Sequence, residues 1–162
     1  MLLWTPGSTD VLPFRQLIDL AQKAGLTVGA AESVTGGLLG YLLAREPGAG
    51  DVFKGTLVTY RSEVKYDLLG LPPGPVVSSQ AAAGMAAAAR RLLGADLALS
   101  LTGVAGPDEQ DGMPVGTVFV ALAEANRPTI PTRHCFAGSP DQIRLQAARQ
   151  ASLRALERLQ SG

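Results

Sequence analysis

Short apolar runs alternate with helical patterns along most of this chain, and glycine or proline marks most changes of pattern. The apolar runs predict strands at residues 26–31, 52–60, 96–102, 115–123 and 129–136. The helical patterns predict helices at residues 14–24, 38–45, 62–69, 80–93 and 140–159, with Pro13 in the first turn of the first helix. The last two strands are joined too tightly to be parallel. We therefore predict an α/β fold, a three-layer α/β/α domain with a mixed, mainly parallel sheet.

Size and charge narrow the class of protein further. The chain has 162 residues, which fits one domain over residues 1–162 that buries a core without disulfides or metals. Fourteen Lys and Arg balance fourteen Asp and Glu, and the charges are scattered, so the formal net charge is zero. We therefore expect no nucleic-acid partner and no membrane partner.

Cysteine and histidine each occur once, as Cys135 and His134. A single cysteine excludes an internal disulfide, and the pair offers no set of metal ligands, so we expect no metal and no other cofactor. Residues 1–10 lack the pattern of an export signal, and the longest uncharged run of small residues, 81–89, is far below the roughly 20 residues that span a bilayer. We expect a soluble, cytoplasmic protein.

Three loops follow the carboxyl ends of predicted strands, where ligands usually bind in open α/β sheets. The first contains Ser33 within A-E-S-V-T-G-G, residues 31–37. A serine on such a strand-to-helix turn can expose its hydroxyl, and the next helix, with Gly36 and Gly37 allowing close approach, can hold an oxyanion or a phosphate. The alternative is that Ser33 or Thr35 caps the helix, the commonest reason for a hydroxyl at such a turn.

A serine nucleophile needs a base, and the second loop offers one. His134 lies in a predicted strand with no acidic residue next to it in sequence, which gives a Ser-His-Asp triad little support. Lys65 lies about one helical turn beyond the strand end at Tyr60, and burial can lower a lysine pKa enough for it to act as a base. Tyr60 would orient Lys65 or relay a proton. The alternative is an ordinary solvated lysine.

The third loop is T-G-V-A-G-P-D, residues 102–108, whose Gly103 and Gly106 are spaced for a tight turn. Converging N–H groups in such a turn can bind an anion, but this glycine spacing also serves plain turns. Arg144, near the start of the last helix, is long enough to reach a phosphate, and the alternative is an exposed helix arginine.

Four motifs, in their order and spacing, resemble the CinA C-terminal domain family over roughly residues 14–159. They are AESVTGG at 31–37, VTYRSEVK at 58–65, LTGVAGPD at 101–108 and PVGTV at 114–118. The resemblance implies an α/β/α amidohydrolase that converts nicotinamide mononucleotide (NMN) to nicotinic acid mononucleotide and ammonia in pyridine-nucleotide salvage. It also implies a catalytic dyad of Ser33 and Lys65, with Tyr60, Thr102 and Arg144 near the pocket.

The resemblance and the chemistry predict one mechanism. Neutral Lys65 takes the Ser33 proton as Oγ attacks the amide carbon, N–H groups at residues 35–37 or a hydroxyl hold the oxyanion, and water hydrolyses the acyl-enzyme. The 5′-phosphate is expected at a helix N-terminus or at residues 103–106, with Arg144 as a clamp. The partner is thus a small nucleotide substrate, and we expect the chain to form a homo-oligomer.

The chain departs from the family pattern at several positions. Val34 replaces a usual cysteine, and RSEVK at residues 61–65 replaces S-N-E-A-K, yet the serine and the lysine remain. The family's P-D-G-G loop is PDEQDGMP at residues 107–114, which puts substrate affinity and choice in question. Many relatives also carry an N-terminal domain, so we expect a stand-alone version here.

The altered loop keeps a second function class open. This is a non-catalytic nucleotide-binding or competence-associated partner protein that retains the pocket. A phosphate-dependent P-loop enzyme is disfavoured because the G-x-x-x-x-G-K-[ST] pattern is absent.

Overall fold

The computed structural model describes residues 8–161. In chain order its elements are α1 Ser8–Ala24, β1 Val28–Glu32, α2 Leu38–Ala44, α3 Ala49–Val52, β2 Phe53–Val58, α4 Ser62–Leu69, α5 Ser79–Leu93, β3 Leu97–Gly103, β4 Thr117–Glu124, β5 Thr132–Cys135 and α6 Pro140–Gln160. The absence of an export signal was inferred from residues 1–10, of which 1–7 lie outside the described residues.

The strands form one sheet in the order β2-β1-β3-β4-β5. Strand β1 pairs in parallel with β2 and β3, whereas β4 is antiparallel to both β3 and β5. Helices connect β1 to β2 and β2 to β3, as parallel pairs require, whereas β3 reaches β4 through a loop without a helix. Within residues 8–161 four strands run in one direction and β4 is reversed, which confirms the prediction of a mixed, mainly parallel sheet.

Helices cover both faces of the sheet, which confirms the three layers. The main core lies on the face covered by α1, α2 and α6, where Phe14, Leu17 and Ile143 are buried with Leu99 and Leu101 of β3. Burying a side chain of this size stabilises the fold by about 1.5–3 kcal/mol. Helices α4 and α5 cover the other face, and the alanines of α5 let it pack closely over the sheet.

The start of the first helix differs from the prediction. Pro13 was expected in the first turn, but α1 begins at Ser8, so Pro13 is inside the helix. Proline lacks the N–H that would bond to the carbonyl four residues earlier. The burial of Phe14, Leu17 and Ile18 in the core with α6 offsets this loss, and local propensity does not include that tertiary contribution.

The prediction missed a short helix, α3, which begins inside the E-P-G-A-G break at residues 46–50 and ends at Val52. Glycine and proline favour a loop there, but Ala49 and Val52 are buried in the main core. The Gln22 side chain of α1 donates to the Gly48 carbonyl at 3.4 Å and to Asp51 Oδ2 at 3.1 Å. The helix is therefore held by tertiary contacts.

Apart from the start of α1 and the missed α3, helix ends were predicted more accurately than strand ends. Helix α4 has the predicted bounds, and Ser78 caps α5 by accepting a hydrogen bond from the Ala81 N–H at 3.1 Å. The last strand, predicted at residues 129–136, is only Thr132–Cys135. Helix ends carry local capping signals, whereas strand ends depend on partners distant in sequence.

Within residues 8–161, no helix is long and apolar enough to cross a membrane. The same residues contain no group of three or more His, Cys, Asp or Glu side chains that could hold a metal ion.

Candidate active site

Ser33 directly follows β1 and lies at the carboxyl ends of three neighbouring parallel strands. Its N–H donates to the Leu101 carbonyl of β3 at 3.1 Å, and the Thr59 N–H after β2 donates to the Glu32 carbonyl at 2.8 Å. The Ser33 side chain lines a cavity of about 300 Å³. This volume is near the lower end of the range for small-molecule sites, roughly 300–1,000 Å³.

The Glu32 carboxylate fills the start of α2, which sequence reasoning missed. It is fully buried and accepts hydrogen bonds from the N–H groups of Gly37, Leu39 and Gly40 at 2.7–3.1 Å. Two hydroxyls, those of Thr35 and Thr56, donate to the same carboxylate at 2.6 and 3.0 Å. A carboxylate in this place satisfies the free N–H groups of a helix start and interacts favourably with the helix dipole.

These bonds correct two expectations about the turn. The Gly37 N–H is bound by Glu32 and the Gly36 N–H donates to the Ser33 carbonyl at 3.0 Å, so neither is free to hold an oxyanion or a phosphate. Thr35 donates its hydroxyl to Glu32, so neither it nor Ser33 is the cap of α2. Across residues 8–161 no partner is found for the N–H groups of Val34 and Thr35, which leaves these two donors beside Ser33.

Lys65 is buried in α4 behind the end of β2. Its side chain is only 1% exposed, and its ammonium donates to the Thr59 carbonyl at 2.7 Å and to the Tyr60 carbonyl at 3.4 Å. Burial lowers the Lys65 pKa from 10.5 to about 8, although the negative charges of Asp111 and Glu63 act to raise it. The solvated alternative for this lysine is therefore wrong, and a neutral amine is accessible near physiological pH.

The structure brings Ser33 and Lys65 to the ends of adjacent strands. No hydrogen bond joins these two described residues. Ser33 follows Glu32, which pairs with Val58 of β2, so Ser33 lies beside Thr59, the residue whose carbonyl holds Lys65. Tyr60 lines the cavity with an exposed ring. Its contact with Lys65 is made by the backbone carbonyl, so its hydroxyl does not orient the lysine.

The third loop forms the opposite wall of the cavity, with Gly103, Gly106 and residues 107–110 lining it. Gly103 is required by packing, since a Cβ there would lie 2.5 Å from the Thr117 carbonyl of β4. Thr102, predicted to bind substrate, is buried and donates its hydroxyl to the Val76 carbonyl at 2.6 Å.

Arg144 reaches the Ser33 turn from α6. Its Nε donates to the Val34 carbonyl at 3.2 Å, and its Nη1 pairs with Asp141 at 2.9 Å. About 28% of the side chain is exposed. The arginine is therefore held against the Ser33 turn and is partly exposed, but it does not line the cavity.

His134 lies far from Ser33 in the sheet. It is on the edge strand β5, separated from β1 by β3 and β4. Its ring stacks on Phe136 with centroids 5.6 Å apart, and Nε2 lies 2.9 Å from the Thr132 hydroxyl. Burial lowers its pKa. This placement agrees with the low support for a histidine base.

The low pKa of Lys65 predicts a pH dependence of stability. Between the folded pKa of about 8 and the ordinary value of 10.5, the unfolded chain binds the proton more tightly, so the folded state gains stability as the pH rises through this interval. We expect the free energy of unfolding of the wild type, minus that of Lys65→Met, to rise between these pH values. Urea denaturation of both proteins measures it, and a constant difference would show that burial does not perturb Lys65.

The fold and the site define an α/β/α domain with a cavity at the carboxyl edge of its sheet, lined by a serine, with a buried lysine held at the neighbouring strand end. The sequence profile of the CinA C-terminal domain matches residues 14–160. The chain belongs to the CinA C-terminal domain family, as its motifs predicted.

Individual relatives agree with this membership. A Streptococcus pyogenes protein described as competence-damage inducible is 49% identical over 118 residues, which cover 70% of this chain and 28% of that protein. A Bacillus cytotoxicus protein with the same description is 38% identical over 143 residues, covering 85% of this chain and 35% of that protein. The chain thus spans about a third of the length of these curated relatives.

Solved structures match over almost the whole chain. The competence/damage inducible protein CihA from Agrobacterium tumefaciens is 31% identical with a TM-score of 0.89, covering 98% of this chain and 99% of that one. A CinA superfamily protein from Enterobacter cloacae is 28% identical with a TM-score of 0.88, covering 98% of each chain.

Proposed function

We propose that this protein is an amidohydrolase that hydrolyses the carboxamide of NMN, giving nicotinic acid mononucleotide and ammonia. The observation that carries the proposal is the placement of Lys65, which is 1% exposed, has a pKa of about 8 and donates to the carbonyl of Thr59, at the strand end beside Ser33. Burying a lysine without a carboxylate partner lowers the stability of the fold. Such a residue, with a lowered pKa, is typical of a functional site that uses the neutral amine.

Lys65 has the hydrogen-bonding capacity that a base needs. A neutral amine can donate its two N–H bonds to the Thr59 and Tyr60 carbonyls and keep a lone pair for the Ser33 proton. The missing Ser33–Lys65 bond does not oppose this role, because catalytic hydrogen bonds often tighten only when substrate binds.

The reaction then proceeds in two steps through an ester. Ser33 Oγ bonds to the carboxamide carbon as Lys65 takes its proton, and Lys65 returns that proton to the nitrogen as the C–N bond breaks and ammonia leaves. Water attacks the ester, giving a proton to Lys65, which passes it to Ser33 as the acid leaves. The N–H groups of Val34 and Thr35 are the donors available for the oxyanion.

Charge around the cavity suits the two ends of NMN. Asp108 and Glu109 line the cavity, and no lysine or arginine does so within the described residues, an arrangement that favours the cationic pyridinium ring. The 5′-phosphate requires positive charge, and the candidate for supplying it is the partly exposed Arg144, which donates to the Val34 carbonyl of the Ser33 turn. The start of α2, one of the two phosphate sites expected from sequence, already holds Glu32.

Ammonia release from NMN by the purified protein tests the proposal. We expect turnover that a chelator does not reduce, and acid quenching should trap an acyl adduct on the peptide that contains Ser33, detected by mass spectrometry. Nicotinic acid mononucleotide, which has no amide nitrogen to lose, is the matched control. If no ammonia is released at any pH between 6 and 10, the proposal fails.

A second candidate is a nucleotide-binding partner protein without turnover. It is favoured by the altered loop at residues 107–114, part of which lines the cavity. Binding of NMN in calorimetry without ammonia release would support this function over hydrolysis.

A further inference from the structure

The loop between β3 and β4 ends in a tight turn at Asp111. The N–H of Met113 donates to the Gln110 carbonyl at 2.8 Å, and the Gln110 N–H donates back to Met113 at 3.2 Å. Asp111 and Gly112 between them have φ values of 53° and 71°. Two positive φ values define the turn for which Asp-Gly is a preferred pair. The loop that departs from the family pattern is therefore well formed.

The Asp111 carboxylate forms hydrogen bonds with the segment before α5. Its Oδ2 accepts from the N–H groups of Val76 and Val77 at 2.8 and 2.9 Å, and both valines are buried. The carbonyl of Val76 accepts the Thr102 hydroxyl at 2.6 Å. One residue, Val76, thus joins the Asp111 loop to the end of β3, the strand that leads into the cavity.

The same loop faces the active site on its other side. Its residues 107–110 line the cavity with Ser33. Two carboxylates act to raise the Lys65 pKa, and the effect of Asp111 is the larger. The other is Glu63 of α4, which is exposed and paired with Arg61. Asp111 therefore acts on both the shape of the cavity and the charge of the base.

We propose that Asp111 is a positioning residue of this site, which fixes the cavity-lining loop against the segment before α5 and places its negative charge where it acts on Lys65. The inference deepens the proposed function and rests on it for the role of Lys65 as base. Burial alone favours the neutral amine, and Asp111 opposes burial so that Lys65 can still hold the proton destined for ammonia.

The variant Asp111→Asn tests the effect of the charge separately from the hydrogen bonds that anchor the loop. Asparagine keeps a carbonyl oxygen for the two valine N–H groups and tolerates the positive φ, but removes the negative charge. The chain has three lysines, Lys23, Lys54 and Lys65, so ¹³Cε-lysine NMR can follow each one without substrate. We expect the Lys65 midpoint to fall by about half a pH unit in Asp111→Asn, with Lys23 and Lys54 unchanged.

The kinetic counterpart is the pH profile. The acidic limb of kcat/KM should move to lower pH in Asp111→Asn by the same amount, because less alkaline conditions then suffice to deprotonate the base. Glu109→Gln, at an exposed position of the same loop, removes a charge that is not among the causes of the Lys65 pKa shift, and we expect it to leave the Lys65 midpoint unchanged.

Asp111→Ala tests the anchoring. We expect hydrogen exchange at the N–H groups of Val76 and Val77 to accelerate roughly tenfold in Asp111→Ala and little in Asp111→Asn. An unchanged Lys65 midpoint in Asp111→Asn overturns the electrostatic part of the proposal, and unchanged exchange in Asp111→Ala overturns the anchoring. These NMR results do not require turnover, so their failure is distinct from a wild type that releases no ammonia.

Discussion

Ser33→Ala and Lys65→Met should each lower kcat/KM for NMN about a thousandfold or more. The first removes the atom that forms the ester, and the second removes the base and the acid for the departing ammonia. Residues that act as one unit are not additive, so the double variant should be no slower than the worse of the two single variants. Ammonia release under saturating and subsaturating NMN measures the effect.

Lys65→Met should lose activity without losing stability. Methionine fills a similar volume and removes a charge whose burial lowers the stability of the fold. The free energy of unfolding at pH 7 should therefore be unchanged or larger. Lys54→Met is the matched control, because Lys54 is exposed on the edge strand β2 and should retain both activity and stability. Normal turnover in either Ser33→Ala or Lys65→Met would refute the dyad, whereas unfolding of Lys65→Met would indicate a structural role.

Glu32→Gln should lower the free energy of unfolding by about 3–5 kcal/mol. The amide keeps one acceptor oxygen but turns an NH₂ group towards N–H and O–H donors that the carboxylate now satisfies. Unsatisfied buried donors cost about 1–3 kcal/mol each, and the interaction of the negative charge with the start of α2 is lost as well. Urea denaturation measures the change.

Activity should fall together with stability in Glu32→Gln, because the carboxylate holds both ends of the turn that carries Ser33. Glu109→Gln is the matched control for stability, since Glu109 is exposed and should change the free energy of unfolding by no more than about 0.5 kcal/mol. A stability loss below about 1 kcal/mol in Glu32→Gln would mean that water or a shifted backbone replaces the lost acceptor.

Glu32 shows why part of the site could not be read from the sequence. The A-E-S-V-T-G-G motif pointed to Ser33, and the ambiguity between nucleophile and helix cap arose from local chemistry alone. The N–H groups at the start of α2 are instead satisfied by Glu32, one position before Ser33, whose carboxylate reaches Gly40, eight residues on, and Thr56, on the neighbouring strand. A carboxylate at the end of an otherwise apolar strand was the available signal, because such a group must find partners when it is buried.

The role of Asp111 could not be read from the sequence for a similar reason. Sequence comparison with the family pattern marked its loop as altered, but the effect of that change depends on what the loop contacts. Its partners, Val76 and Val77, are 35 and 34 residues away and offer backbone N–H groups, which no side-chain pattern reveals. The structure also excluded the expected anion site at residues 36–37, since those N–H groups have internal partners.

The sequence by itself determined the order of the strands and of every helix except α3, the three layers, and the loops after the strand ends near Ser33, Tyr60 and Thr102, because periodicity, glycine stops and caps are local signals. Only the tertiary structure decided the burial and low pKa of Lys65, the hydrogen bonds of Glu32 at the start of α2 and those of Asp111 to the segment before α5. Burial, electric fields and long-range hydrogen bonds depend on residues that are distant in the chain and adjacent only after folding.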